Sequence, residues 1–234
     1  MCGVALRTYM KKIAVIRTDF PTKFGIPRQS GLVDELKGTV IFESEYRNPD
    51  ALRGLEEFSH IWLLWEFSEN LNSEWSPTVR PPKLGGNIRK GVFATRSPFR
   101  PNSIGLSSVR LKGIEHTEKY GTVLHVSGAD LMDGTPIVDI KPYIPYADCH
   151  PDASGGFSKD SRFPELDIVF PEHLKEKMPA DKLSALIRVL RLDPRPAYQN
   201  DPERIYGFGF AGREINFTVS GGTLTVCEIS EEEF

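Results

Sequence analysis

The sequence predicts a mainly β protein: a closed or nearly closed β-barrel domain with a small α+β C-terminal domain. Three observations lead there. Short β-branched and aromatic runs recur through the first two thirds of the 234 residues, separated by Gly, Pro and Asn. A Ser-, Gly- and Asp-rich stretch at 148–163 then interrupts that rhythm and reads as a linker. Beyond it come one amphipathic helix pattern and one Gly-Gly hairpin signal. Many short strands with turns between them favour a barrel or sandwich over βαβ units. The expected division is 1–165 for the barrel with its linker and 166–234 for the C-terminal domain. At about 70 residues the second unit is marginal alone and should pack on the first.

The elements follow in order. Residues 13–18 are β-branched and apolar, and 39–42 form a second run. Asn48 is placed to cap a short helix, with Pro49 in its first turn and Leu52 and Leu55 facing inward. Residues 59–67 (SHIWLLWEF) are long and aromatic enough for a central strand. A short strand is expected at 91–95. Ser107, Val109 and Leu111 alternate with Ser108, Arg110 and Lys112, the pattern of a half-buried strand. Strands at 122–127 and 137–141 complete the barrel. In the second unit Leu183, Leu186, Ile187 and Leu190 recur at helical spacing between Pro179 and Pro194. Strands at 214–219 and 223–229 flank Gly221-Gly222. Glu231-Glu232-Glu233 reads as a solvated tail.

Composition excludes several classes. Hydrophobic residues at 39 % and charged residues at 26 % describe an ordinary globular chain, neither disordered nor membrane-spanning. The cysteines, Cys2, Cys149 and Cys227, are odd in number, widely spaced and free of any CxxC, which argues against a disulfide framework and a structural zinc site. Five histidines form no HExxH or HxH pair, so no metal is expected, and His60 and His125 read as structural. Arg7, Lys11 and Lys12 interrupt the N-terminal apolar residues, and no run of about 18 apolar residues exists, so a cytoplasmic protein without a membrane span is expected. Residues 207–212 match GxGxxG, but an alternating strand pattern follows instead of a helix, and the dinucleotide reading is rejected. Walker A and GxSxG motifs are missing.

Charge is unevenly spread. The net charge is −3, yet residues 75–114 hold Arg80, Lys83, Arg89, Lys90, Arg96, Arg100, Arg110 and Lys112 and no acid, a formal +8 that leaves −11 for the rest. Such segregation steers anions to one face despite a negative total. Within it, 91–106 places Arg96, Arg100 and Asn102 on a loop stiffened by Pro98 and Pro101, as preorganised binding loops are. A second dense stretch, 130–143, combines Asp130, Asp133 and Asp139 with Lys141 and Tyr143; a lone Asp there would be read as a turn former. A third, 23–29, sets Arg28 and Gln29 beside Pro27.

These stretches together resemble the TsaA/TrmO family of tRNA methyltransferases. The matching pieces are FGIPRQSGL, SHIWLLWEF, TVRPPKLGGN, GVFATRSPFRPN and DLMDGTPIVDIKPYIPYAD, with LDPRPAY in the C-terminal unit. They span nearly the whole chain. The resemblance implies a β-barrel methyltransferase that uses S-adenosylmethionine on threonylcarbamoyl-modified adenosine beside the anticodon of tRNA. It implies a homodimer with the cofactor near the subunit interface. The family's cofactor loop falls on Pro27, Arg28 and Gln29. Its arginine falls on Arg96, its apolar turn residue on Leu106, and its acidic run on Asp130, Leu131, Met132 and Asp133. Where the family commonly carries a His-containing pair after the WLLWEF strand, this chain has Ser68-Glu69; Ser103 replaces a second family proline.

On this reading Asp130 or Asp133 accepts hydrogen bonds from the cofactor's diol or ammonium, and Arg28, Arg96 or Gln29 receives its carboxylate. Methyl transfer needs orientation, not a metal or covalent nucleophile. For the proton on the attacking nitrogen the candidates are Asp139 and Asp133, with Tyr143 behind them. Lys83, Arg89, Lys90, Arg100 and Lys141 are candidates for tRNA phosphates, extended by Arg188, Arg191 and Arg195. Phe93, Phe99 or Tyr143 is a candidate to stack on an unpaired base. The 148–163 linker is a candidate lid. Two other readings fit the same residues: a non-catalytic S-adenosylmethionine or RNA sensor, and a methyltransferase acting on a different substrate.

Overall fold

Alternating burial along six strands is what bends the N-terminal half into a ring. The computed structural model describes residues 10–70, 74–81, 84, 87–158, 165–195, 199 and 201–231. The strands are β1 (Ala14–Arg17), β2 (Lys37–Phe42), β3 (His60–Glu66), the short β4 (Thr78–Val79) and β5 (Lys90–Gly91), β6 (Ile104–Thr117), β7 (Gly121–Ser127) and β8 (Pro136–Pro142). Six of them hydrogen-bond in the order β1-β2-β7-β6-β3-β8, and β8 returns to β1 through Ala14 opposite Ile137. A closed ring leaves no sheet edge open to unwanted pairing. Ala14, Ile16, Val40, Ile61, Leu63, Val109, Leu124 and Ile137, each at most 1 % exposed, fill its interior.

Two of the predicted elements take other forms. Residues 91–95 do not continue as a strand: after Lys90–Gly91 the chain tightens into a 3-10 turn, Val92–Ala94. The Thr95 hydroxyl donates to the Val92 carbonyl at 2.8 Å, a local bond that competes with strand pairing. The helix expected after Asn48 is a pair of 3-10 turns, Pro49–Leu52 and Leu55–Glu57, although Asn48 does cap the first by accepting from the Asp50 amide at 3.0 Å.

The second half begins after a single turn of helix, α1 (Pro145–Asp148), and the linker. It contains β9 (Asp167–Val169), α2 (Glu172–Lys175), α3 (Ala180–Arg191), β10 (Tyr206–Phe210), β11 (Arg213–Ser220) and β12 (Thr223–Glu231). The sheet order is β10-β11-β12-β9, with β9 parallel to β12 and the β11–β12 hairpin turning at Gly221-Gly222. Residues 207–212 form β10 and the turn into β11, in keeping with rejection of the dinucleotide motif. The buried face of α3 is Ala185, Leu186, Val189 and Leu190; Ile187 lies at its margin. Cys149 and Cys227 are exposed thiols, and Cys2, Glu232 and Glu233 lie outside the described residues.

The two hydrophobic clusters do not respect the division of the sequence. The cluster built on α3 and β10–β12 also takes in Phe20, Val33 and Leu36 from the segment between β1 and β2. Phe20 meets Phe210 edge-on at 5.2 Å between ring centroids. Asp19 accepts the Ala211 amide through its carbonyl at 2.8 Å and the Lys182 ammonium through both carboxylate oxygens at 2.8 and 2.7 Å. The segment is thereby held by the C-terminal core at both its chain and its side chains. Gly25 is its tightest point: φ is +88°, and a Cβ there would stand 2.4 Å from the Phe208 ring. Gly25→Ala is expected to destabilise the fold by about 1–3 kcal/mol through overpacking and left-handed strain, measured as a lowered urea midpoint.

Candidate functional site

A small residue facing a large one across two strands starts the site. Gly105 on β6 lies opposite Trp65 on β3, and the indole occupies the space its side chain would take; a Cβ there would be 2.2 Å from the ring. Two residues on, Ser107 is fully buried. The Trp65 indole N–H donates to Ser107 Oγ at 3.0 Å, and that hydroxyl donates to Asp130 Oδ1 at 2.6 Å. The backbone amide of Ser30 also donates to the Asp130 carboxylate. Burial holds the Asp130 carboxyl above its ordinary range; the Ser107 hydroxyl, backbone amides and the Arg96 charge act against that rise.

Asp130 lines a cavity of about 270 Å³ whose apolar walls are Ile26, Trp65, Phe67, Leu131 and Met132. Ser68 and Glu69 are at the same cavity, together with Lys23 and Glu66. Lys23 Nζ lies 3.3 Å from Glu69 Oε2.

The Pro27-Arg28-Gln29 loop reaches the neighbourhood by another route. Pro27 is buried. The Gln29 side-chain carbonyl accepts from the Arg96 guanidinium, and its amide donates to the Arg28 carbonyl. Arg28 turns toward the C-terminal unit and donates to the Arg195 carbonyl at 3.5 Å; burial pulls its guanidinium below its ordinary value, against the pull of Asp193. Leu106 is 47 % exposed and faces outward from the ring.

Pro98 lines this cavity and also a larger cleft of about 1350 Å³. Arg28, Arg80, Arg89 and Arg96 line the cleft with Phe93, Phe99 and residues 154–158 of the linker, and no acid is among its described lining residues. Arg89 donates to Thr78 Oγ1 at 2.8 Å, and Lys90 stands 5.9 Å from the centre of the Phe157 ring. Arg100 is instead spent on its own loop: it donates to the Thr95 and Ser97 carbonyls at 3.0 and 3.4 Å and stands 5.9 Å from the Phe93 ring centre. Arg195 pairs through two nitrogens with Asp193 at 2.8 and 2.9 Å, its side chain only 11 % exposed. It is a strut of the C-terminal unit more than a free phosphate ligand. Arg188 lies 3.6 Å from Glu165, and Lys83 lies outside the described residues.

The three candidates for a base are not brought to the cavity. Asp133 accepts from Arg17 at 2.8 Å and from the Thr18 amide at 2.9 Å, fastening the end of β1. Asp139 sits outside the ring, 2.9 Å from Lys141 and accepting its neighbour's amide at 2.9 Å. The cause is an irregularity in the β3–β8 pairing: Leu64 opposes Asp139 while Trp65 opposes Ile137, so the chain steps past Val138 and Asp139 leaves the face Ile137 occupies. Tyr143 packs against Trp62 at 5.6 Å and His60 at 6.2 Å, its phenol pushed up by desolvation and then by Cys149 and Asp148. Sequence reasoning passed over Lys23, Glu66, Ser107 and the Ser30 amide. Only Ser107 carried a signal: a hydroxyl two residues from a glycine, on a strand paired with a Trp-rich one.

No group of His, Cys, Asp and Glu suited to a metal occurs among the described residues. No helix among them is long and apolar enough to cross a membrane. Comparison with known proteins is specific. The family model for the tRNA-methyltransferase O N-terminal domain matches residues 15–149, and the TrmO C-terminal domain model matches 164–232. The tRNA (adenine(37)-N6)-methyltransferase of Escherichia coli K12 is 45 % identical over 199 residues, 82 % of this chain and 84 % of the relative. A putative S-adenosylmethionine-dependent methyltransferase of Pseudomonas aeruginosa is 42 % identical over 203 residues, 83 % of this chain and 85 % of the relative. The crystal structure of TrmO from Pseudomonas aeruginosa superimposes with a TM-score of 0.76 at 33 % identity, covering 96 % of this chain and 100 % of that one.

The raised Asp130 carboxyl makes a stability prediction. The folded state holds this proton more tightly than the unfolded chain, whose ordinary value is 3.8. The group's contribution to stability is therefore greatest below that value and declines as pH rises through the window up to the folded value. Asp130→Asn is expected to remove that decline, seen as a flatter urea midpoint between pH 4 and 7; an unchanged slope would assign the burial cost elsewhere.

Proposed function

The chain belongs to the tRNA-methyltransferase O family, and we propose that it transfers a methyl group from S-adenosylmethionine to the exocyclic nitrogen of the adenosine beside the tRNA anticodon, in its threonylcarbamoyl form. It is an enzyme, a methyltransferase. The observation that carries the assignment of the site is the adjacency of two unlike spaces at Pro98. One is a small cavity with apolar walls and a buried carboxylate; the other is a wide cleft with arginines and, among the described residues, no acid.

The residues of the cavity fit a sulfonium nucleoside. Trp65, Phe67 and Met132 offer apolar surface to an adenine, and Asp130 offers acceptors to a diol or an ammonium. Bound S-adenosylmethionine supplies a methyl group on a positively charged sulfur. Asp130 is kept in one orientation by Ser107 and Ser30, so it meets its ligand without rearranging. Such preorganisation is what a reaction governed by in-line geometry requires, and orientation can contribute about 7–11 kcal/mol to lowering a barrier.

The cleft fits the polyanion. Arg80, Arg89 and Arg96 project from the acid-free segment, and Phe93 and Phe99 on the same wall suit an unstacked base. Residues 154–158 of the linker also line it. Asp133, Asp139 and Tyr143 are committed to contacts of their own, which favours a role for this chain in positioning over a role for those three as base. We read the chain as two units, 1–165 and 166–234, acting as a cytoplasmic homodimer. The outward-facing Leu106 fits a site that a second copy completes.

Two outcomes test this reading. Mass spectrometry of tRNA nucleosides from a strain lacking the gene should show loss of the N-methylated threonylcarbamoyladenosine; an unchanged profile defeats the substrate assignment. Arg89→Ala should weaken tRNA binding and lower the slope of log affinity against log salt by about one.

A further inference from the structure

The cavity at Asp130 has an uneven charge. Among the described residues its lining carries three carboxylates, Glu66, Glu69 and Asp130, and one cation, Lys23. A ligand with two positive charges and one negative charge would find several acceptors there for the positive ones and, among the described residues, Lys23 for the negative one. S-adenosylmethionine is such a ligand: its sulfonium and α-ammonium are cationic, and its α-carboxylate is the only anion.

The two arginines that the sequence offers for that carboxylate are directed elsewhere. Arg96 donates to the Gln29 side chain, and Arg28 is turned toward the Arg195 carbonyl. Neither Arg28 nor Arg96 lines the small cavity. Lys23 does, and it is already aimed at a carboxylate, that of Glu69 at 3.3 Å. Both side chains are open to solvent, 78 % and 46 % exposed. Solvent-exposed ion pairs of this kind hold weakly, so the pair separates at little cost.

We propose that Lys23 and Glu69 receive the amino-acid head of the methyl donor, the pair parting so that Lys23 takes the α-carboxylate and Glu69 takes the α-ammonium. This rests on the reading that the cavity holds the donor. Each charge exchanges one partner for another of the same sign, and the pair at rest keeps Lys23 beside the cavity when no donor is there. Lys23 sits two residues from Gly25, so the packing of that glycine against Phe208 places the lysine's backbone as well. Asp130, at the apolar part of the lining, then serves the ribose.

The experiment compares two donors that differ in one group: S-adenosylmethionine and its decarboxylated form, S-adenosylmethioninamine. Their affinities are measured by titration calorimetry on the full chain, on Lys23→Ala and on Glu69→Gln. The expected result is that the parent binds S-adenosylmethionine tighter by about tenfold or more, the range of a charge-assisted hydrogen bond. Lys23→Ala should weaken S-adenosylmethionine by a similar factor and leave the decarboxylated donor within about twofold, which abolishes the preference. Glu69→Gln should weaken both donors, because both carry the ammonium. A preference that survives Lys23→Ala overturns the proposal, and so does an equal loss for both donors in that variant. If the parent binds neither donor, the cavity reading itself fails. If both bind and Lys23→Ala changes neither, only the assignment of Lys23 fails. A thermal melt of Lys23→Ala matching the parent confirms that the fold is intact.

Discussion

The site depends on one packing arrangement: a stretch of the N-terminal half buried in the core of the C-terminal half. Phe20, Val33 and Leu36 leave the ring's sequence but not its chain, and they are counted among the aromatic and aliphatic side chains of β10–β12 and α3. Burying such side chains is worth about 1.5–3 kcal/mol each, so the segment is held by more than its hydrogen bonds. Between those anchors the chain must cross from one unit to the other and back. Lys23, Pro27, Arg28, Gln29 and Ser30 all lie on that crossing. The amide that reaches Asp130, the glutamine that meets Arg96 and the lysine at the cavity are therefore set by hydrophobic burial some residues away. The C-terminal unit shapes the site although none of its described residues lines the small cavity.

Asp130 shows the same economy from the other side. A carboxylate taken out of water loses hydration, and the rise in its proton affinity records that loss. What keeps it useful is a chain of donors fixed by the ring itself. Ser107 points inward because β6 alternates, Trp65 reaches it because Gly105 has no side chain, and the indole N–H leaves the hydroxyl proton for Asp130. An aspartate held in this way is more than a turn former. It is an acceptor with a fixed direction.

Much of this was legible in the sequence, and the rest fails for identifiable reasons. The strands of the ring, the Gly-Gly hairpin and the amphipathic helix follow from period and turn chemistry, which are local. The 91–95 region was misread because Thr95 finds a carbonyl three residues back, a bond invisible to hydrophobic patterning. Asp139 was a base candidate in the dense 130–143 stretch, and it pairs instead with Lys141. Its exclusion from the cavity comes from a register irregularity against Leu64 and Trp65, which is a property of two strands together. Arg100 and Arg195 looked like surface cations until their partners, backbone carbonyls and Asp193, became visible. Lys23 was passed over for the opposite reason. Nothing near it in sequence is remarkable in charge, and its partner Glu69 is 46 positions away.

The net charge of −3 hides a division of labour. Acids gather at the small cavity and basic groups at the wide cleft, with Pro98 between them. On the proposed reading a cationic donor and a polyanionic acceptor each meet the opposite charge, and each is repelled from the other's place. Methyl transfer discharges the sulfonium, so the product loses the positive charge that the carboxylates favoured. The same asymmetry that draws the donor in thus weakens the hold on what it becomes. On that reading a cavity that prefers the charged donor over its net-neutral thioether product favours replacement of product by donor between turnovers.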